Sequence, residues 1–345
     1  MSVQATPAEE HSLDAAGAST PPRAILFRPI LFFLLGFLGL YLFFWRLQRA
    51  FPYLSTGSDL VYHAKLRQAA HGDVFPRNTS ATKIAVFGNS TILAGLVSKH
   101  FDHLAKADGL DTYTYNFGLP GHSRFVPLLK ELVDSGAAPN VVLLTLPWRP
   151  VRQAGLFRLP WTDEKIASAL FPFRTFIRDT ASFAYTSRQH GGLLAFYRES
   201  RENLAQIRKD HGYYFISEQS HYPNERLPHG FHMVTDEPSV PEFRNADPSS
   251  PELAELNAIL RSHSIECLYI PYPLRAGSVG KPTPTDTAFQ HILESRTPCK
   301  LVGPDYYRFP NRLLSDQMHL NHAGARLYTS ELYKLVEPYL AKEAR

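Results

Sequence analysis

Cysteine is nearly missing from this sequence: Cys267 and Cys299 are the only two in 345 residues. A disulfide framework therefore cannot be what holds the chain together, and without paired Cys/His spacing zinc fingers are excluded. One bridge between the two would fit a compartment outside the cytoplasm; the plainer expectation is a pair of buried thiols. A surplus of one charge is lacking as well. The formal net charge is only +4 and the basic residues are spread along the chain, so no nucleic-acid stripe forms and no nucleic-acid partner is expected. Internal repeats are absent. With 44% hydrophobic and 20% charged residues, the composition suits one sizeable folded domain plus extras.

Long apolar runs are missing too, with one exception. From Pro29 to Trp45 the chain reads PILFFLLGFLGLYLFFW without a charge. Extended back to residue 24, with Arg28 reaching to the headgroups, it can cross a ~30 Å hydrocarbon layer. Tyr41 and Trp45 suit an interfacial position at its far end. A buried core helix is the competing reading, but the segment is apolar on every face and has no second such helix to pack on. No small-x-small cleavage site follows, which argues against a removed signal peptide. Residues 24–46 are thus read as a single uncleaved anchor. Arg23 and Arg28 before it balance Arg46 and Arg49 after it, so the positive-inside count does not orient it.

Residues 1–23, rich in Ala, Ser, Thr, Pro and Glu, read as a disordered tail, and 47–80 as a polar linker with a helix near 59–70. Apolar runs and amphipathic stretches then alternate. Strands are expected at 83–88, 112–117, 141–146 and 265–272, with a short fifth at 299–302. Helices are expected at 91–106, 125–133, 251–261, 285–295 and 322–341. This alternation predicts an α/β fold: a three-layer α/β/α sandwich around a mostly parallel five-stranded sheet. Residues 150–248, rich in Phe, Tyr, Arg and His, interrupt it and read as an insertion, a lid or partner surface with helices near 165–180 and 191–209. The fold domain is then 81–149 and 249–345.

Two stretches carry chemistry. Gly88-Asn89-Ser90 follows the first strand and opens a helix. A serine hydroxyl becomes a nucleophile when a base takes its proton, and a strand-to-helix turn exposes it beside the N–H groups of a helix start. The competing reading makes Ser90, or Thr91, a helix cap. Asp316-Gln-Met-His319-Leu-Asn-His-Ala-Gly324 precedes the last helix. A carboxylate three residues before an imidazole can hold its Nδ1–H locally and leave Nε2 to act as base. Capping of the terminal helix, or a metal site including His322, compete with that reading.

With these blocks the sequence resembles the SGNH (GDSL-like) hydrolase family, from about residue 83 to the C-terminus and outside the 150–248 insertion. Gly88-Asn89-Ser90 matches that family's serine block. Asn116-Phe-Gly-Leu-Pro-Gly121 matches its glycine block, and Asp316-x-x-His319 with Leu-Asn-x-x-Gly matches its last block. The resemblance implies Ser90 as nucleophile, Asp316 and His319 completing the triad, and Gly121, with Asn116 in the same block, at the oxyanion site. One block departs: Thr145-Leu-Pro-Trp-Arg149 stands where the family carries an asparagine donor, so Arg149 or a residue of the insertion is the candidate replacement. A Pro-containing third block and one N-terminal anchor are also similar to membrane-tethered proteins of alginate O-acetylation and teichoic acid D-alanylation. That likeness implies a domain outside the cytoplasmic membrane, an acyl donor and a cell-envelope glycan or other ester as substrates, a multi-spanning acyltransferase as partner, and no cofactor. The expected activity is that of a membrane-anchored serine esterase or O-acyltransferase. The alternative is an SGNH-like docking or carrier-binding module without catalysis.

Overall fold

Three apolar runs become the inner strands of one sheet because each is buried from both sides. The computed structural model describes residues 23–51, 54, 57–120, 125–145, 176–215, 222–233, 251–279 and 297–343. Strands β1 (Thr82–Phe87), β2 (Thr112–Asn116), β3 (Val141–Thr145), β4 (Glu266–Ile270) and β6 (Cys299–Leu301) lie in the order β2-β1-β3-β4-β6, and every pairing is parallel. The expected α/β fold with a parallel five-stranded sheet is therefore observed. Successive side chains leave a strand on opposite faces. Ile84 and Val86 of β1 accordingly join one core with Val141, Leu143, Leu268 and Ile270, while Ala85 and Phe87 join another with Val142, Leu144 and Tyr269.

Helices cover both cores. The face of Ala85 and Phe87 is closed by α2 (Gly57–Ala70), α5 (Phe125–Asp134) and α8 (Pro251–Ser262), through residues such as Leu60, Leu128 and Leu256. The face of Ile84 and Val86 is closed by α4 (Ser98–Ala107) and α9 (His322–Glu343), through Phe101, Tyr328, Leu332 and Val336. Each fully buried side chain of this size contributes about 2 kcal/mol. From β1 the chain passes to β2 on one side and returns to β3 on the other. The carboxyl ends of β1 and β3 thus flank the point where the winding reverses, the place where open parallel sheets bind ligands.

Several expectations need correction. Residues 57–70 are no linker: Leu60, Val61, Tyr62 and Ala69 of α2 belong to the sheet's core. The fourth strand ends at Ile270, and the chain continues as β5 (Tyr272–Arg275), which pairs in parallel with β7 (Tyr306–Phe309) as a second small sheet. The two cysteines are not thiols. Register places Cys267 of β4 opposite Cys299 of β6, and they form a disulfide buried to within 1% of full occlusion. The insertion is not separate either. Its helices α6 (Phe176–Thr186) and α7 (Leu193–Lys209) lead into residues 211–215, with Leu204, Ile207 and Tyr213 buried in the two cores. The expected helix at 285–295, residues 1–22, and the start of the expected helix at 165–180 lie outside the described residues.

At the N-terminus α1 (Arg23–Ala50) is a single helix, and its segment Arg28–Ala50 is long and apolar enough to cross a membrane, with none of that window buried by the protein. Its far end is held by aromatic contacts. Phe44 meets Phe176 of α6 edge-on at 6.5 Å between ring centroids, and Phe51, just past the helix, meets Tyr197 of α7 at 6.4 Å. Arg49 stacks over the Trp45 ring at 4.1 Å.

Candidate active site

Strand β1 delivers the chain to the sheet's carboxyl edge at Phe87, and Gly88 turns it. No side chain fits there: a Cβ on Gly88 would lie 2.5 Å from Ile92 Cγ1 and 2.9 Å from the Thr145 hydroxyl at the end of β3. Asn89 caps the next helix, its Oδ1 accepting from Thr91 N at 3.0 Å and from the Thr91 hydroxyl at 2.7 Å. The cap is thus Asn89, which leaves Ser90, the first residue of α3 (Ser90–Leu93), free of capping duty. Ser90 is half-buried, and among the described residues no hydrogen bond engages its hydroxyl.

The helix expected over 91–106 is interrupted between Leu93 and Ser98, where groups from outside bond to its backbone. Asn116, fully buried at the end of β2, donates its amide to Ile92 O at 2.7 Å and Leu96 O at 2.9 Å, and its Oδ1 accepts Gly118 N at 2.8 Å. Tyr214 N donates to Leu93 O at 3.2 Å, and Thr329 of α9 accepts Val97 N at 3.0 Å before α4 begins. Asn116 had been grouped with the oxyanion residues. Its amide is instead spent on backbone, so it builds the wall behind the Ser90 turn and does not face a substrate.

Behind Asn116 stands a residue with no place in the sequence reading. Lys65 of α2 is fully buried, and its Nζ donates to three carbonyls: Asn116 O at 2.7 Å, Gly118 O at 2.8 Å and Gly212 O at 3.0 Å. Burial pushes its pKa well below the usual lysine value. Three acceptors around one nitrogen oppose that shift, because only the ammonium has three N–H groups to give. Gly212 closes the cage from the insertion at φ +84°, where a Cβ would fall 2.0 Å from Asn116 O. A sequence signal existed: Lys65 lies one helical turn from both Val61 and Ala69, on the face that is buried.

The second half of the site sits between β7 and α9. Leu314 and Leu320 form an antiparallel bridge, and Ser315 donates its N–H to His319 O at 2.9 Å, which folds 315–319 into a tight loop. Inside it Asp316 Oδ2 accepts from His319 Nδ1 at 2.7 Å, while Oδ1 accepts the backbone N–H groups of Met318 and His319, each at 2.7 Å. Burial raises the Asp316 pKa, but the hydrogen bonds from the His319 ring and from the two backbone amides outweigh it, and the net shift is downward. With the ring proton on Nδ1, Nε2 carries a lone pair; this atom is buried and has no hydrogen-bond partner among the described residues. Asn321 anchors the loop, donating to Arg312 O at 3.0 Å and accepting Gly324 N at 3.0 Å as α9 starts.

Residues 213–215 link the two halves. Tyr214 N holds Leu93 at the end of the Ser90 turn, while the Tyr213 hydroxyl pairs with His322 Nδ1 at 3.3 Å and the Phe215 ring lies 3.9 Å from that of His322, three residues past His319. Tyr328 of α9 donates to Pro271 O at 2.8 Å, just beyond β4. Residues 213–215 thus touch both the turn that carries Ser90 and the first residue of α9, three past His319. Gly121 and Arg149 lie outside the described residues, as does most of the block after Thr145. Thr145 is buried beside Gly88 and hydrogen-bonds the Tyr272 side chain. Sequence reasoning missed Lys65, Tyr213 and Tyr214, the latter two because they fall in the stretch read as an insertion. No family model, curated protein or solved structure matches this chain.

Proposed function

We propose that this chain is a membrane-anchored serine acyl-transfer enzyme of the SGNH type, an esterase or O-acyltransferase acting on acyl esters. The observation that carries the reading is the Asp316–His319 contact of 2.7 Å with a buried Nε2 that has no partner among the described residues; a half-buried Ser90 opens the turn after β1. The Ser90 hydroxyl attacks the ester carbonyl as His319 Nε2 takes its proton. Asp316 steadies the resulting imidazolium. The tetrahedral oxyanion is met by the backbone N–H of Ser90 and, by motif, of Gly121. Collapse breaks the bond to the alcohol, which leaves with the proton from His319, and Ser90 holds the acyl group. Water, or a glycan hydroxyl, then gives its proton to Nε2, attacks the acyl-serine and restores Ser90.

Anchoring and sidedness belong to the same proposal. The Cys267–Cys299 disulfide fits an oxidising compartment, which favours α1 as an anchor with the domain outside the cytoplasm. A cell-envelope glycan ester donor or acceptor, and a multi-spanning acyltransferase partner, fit that location. The test is labelling of the full-length chain in detergent by a fluorophosphonate. Labelling of the wild type and none of Ser90→Ala is expected; equal labelling of both refutes Ser90 as nucleophile.

A second reading, a docking module without catalysis, is favoured by one observation. The Asn116 amide is committed to backbone carbonyls, so it supplies no side-chain donor to an oxyanion. Ester hydrolysis by the wild type that disappears in His319→Ala would dismiss it.

A further inference from the structure

We infer that the tip joining α6 and α7 is a second membrane contact, which lies in the headgroup layer of the leaflet from which α1 emerges. The inference rests on reading α1 as a membrane span. Phe44 and Phe51 of the α1 segment are seven residues apart, about 10 Å along a helix axis. Phe176 touches the first and Tyr197 the second. A hairpin that meets a spanning helix at both levels is held at the depth of the bilayer surface.

The tip has the chemistry of such a surface. Leu193 and Leu194 precede Tyr197 by four and three residues, so all three share one side of α7, and it is Tyr197 that touches Phe51. The adjoining stripe of α7, with Phe196, Ser200, Leu204 and Ile207, is buried in the protein. Leu194 is 83% exposed, Tyr185 69% and Leu193 56%, which a globular surface in water has no reason to present together. Arg188, Arg198 and Arg201 are exposed around them, with Arg188 over the Tyr185 ring at 5.7 Å; Glu202 is the exposed acid nearby. Leucine in the acyl boundary, tyrosine at the headgroups and arginine toward the phosphates is the pattern of an interfacial segment. The tip is also built to hold its shape. Gly192 N donates to Ser187 O at 2.8 Å, and His190 Nδ1 meets Glu199 at 3.0 Å across the turn. Two attachments, one spanning and one lying flat, would set the angle at which the sheet's carboxyl edge faces the membrane.

The test uses the full-length chain in vesicles of phosphatidylcholine and phosphatidylglycerol. The native cysteines are bonded to each other, so an added cysteine is the only free thiol. An environment-sensitive fluorophore is attached in turn at Leu194→Cys, at Leu34→Cys within α1, and at Lys334→Cys on the opposite face of the sheet. Lipids bearing a nitroxide at the headgroup or deep in the acyl chain serve as quenchers. The expected result is loss of fluorescence at 194 with the headgroup nitroxide, at 34 with the deep one, and at 334 with neither. Site 34 quenched and site 194 behaving like 334 overturns the tip contact alone. Site 34 unquenched overturns the anchor reading, and the tip contact with it.

Discussion

Asp316 grips His319 twice, by ring and by backbone: Oδ2 accepts from Nδ1 and Oδ1 accepts from the same residue's N–H, both at 2.7 Å. One carboxylate therefore fixes both the loop and the tautomer. Asp316→Asn presents an amide that can shift the ring proton to Nε2 and remove the base. Ester hydrolysis should fall on the order of 10⁴-fold, read as kcat/KM on p-nitrophenyl acetate.

The same carboxyl makes stability depend on acid. Its folded pKa is depressed, so its contribution is present above the ordinary carboxylate value and is lost as pH falls through the lowered one. Wild type should melt above Asp316→Asn at neutral pH, and the gap should close in acid. A Tm difference that is constant from neutral pH to strong acid would contradict this.

Asn116→Ala removes the donor that stops α3. Carbonyls of Ile92 and Leu96 lose a buried partner, a cost of about 2 kcal/mol. The Ser90 turn loses its backing at the same time. Both a lower Tm and slower fluorophosphonate labelling of Ser90 are expected, and labelling at the wild-type rate would deny Asn116 its positioning role.

Lys65→Met leaves three carbonyls without a hydrogen and should cost about 3 kcal/mol, measured by thermal unfolding of the full chain in detergent. Lys65→Arg should not rescue it, since the cage surrounds one nitrogen and a planar fork cannot fill it.

Replacing both cysteines by alanine should lower stability by about 3–4 kcal/mol, from a closed loop with a sequence separation of 32. Unchanged unfolding in the double variant would mean the bond adds nothing to the fold.

The inner strands were legible because runs such as Ile84–Phe87 and Val141–Leu144 are continuously apolar and end at Gly88 or near Pro147, as strands buried on both faces must. The Asp316–His319 pair was legible for a related reason: its geometry is local, three residues in one loop. What stayed hidden depended on distant partners. The break after Leu93 comes from Asn116 and Tyr214, the cysteine pairing from the register of β4 and β6, and the burial of Lys65 from a glycine almost 150 residues away, at a separation of 147. No window of neighbouring residues contains such information.

The buried side chain of Lys65 dictates where this polypeptide can be cut. A fragment trimmed to begin at β1 would shed the apolar helix α1 but also the buried amine that seals the rear of the Ser90 turn. Any water-soluble version for crystallisation or assay has to start ahead of Gly57.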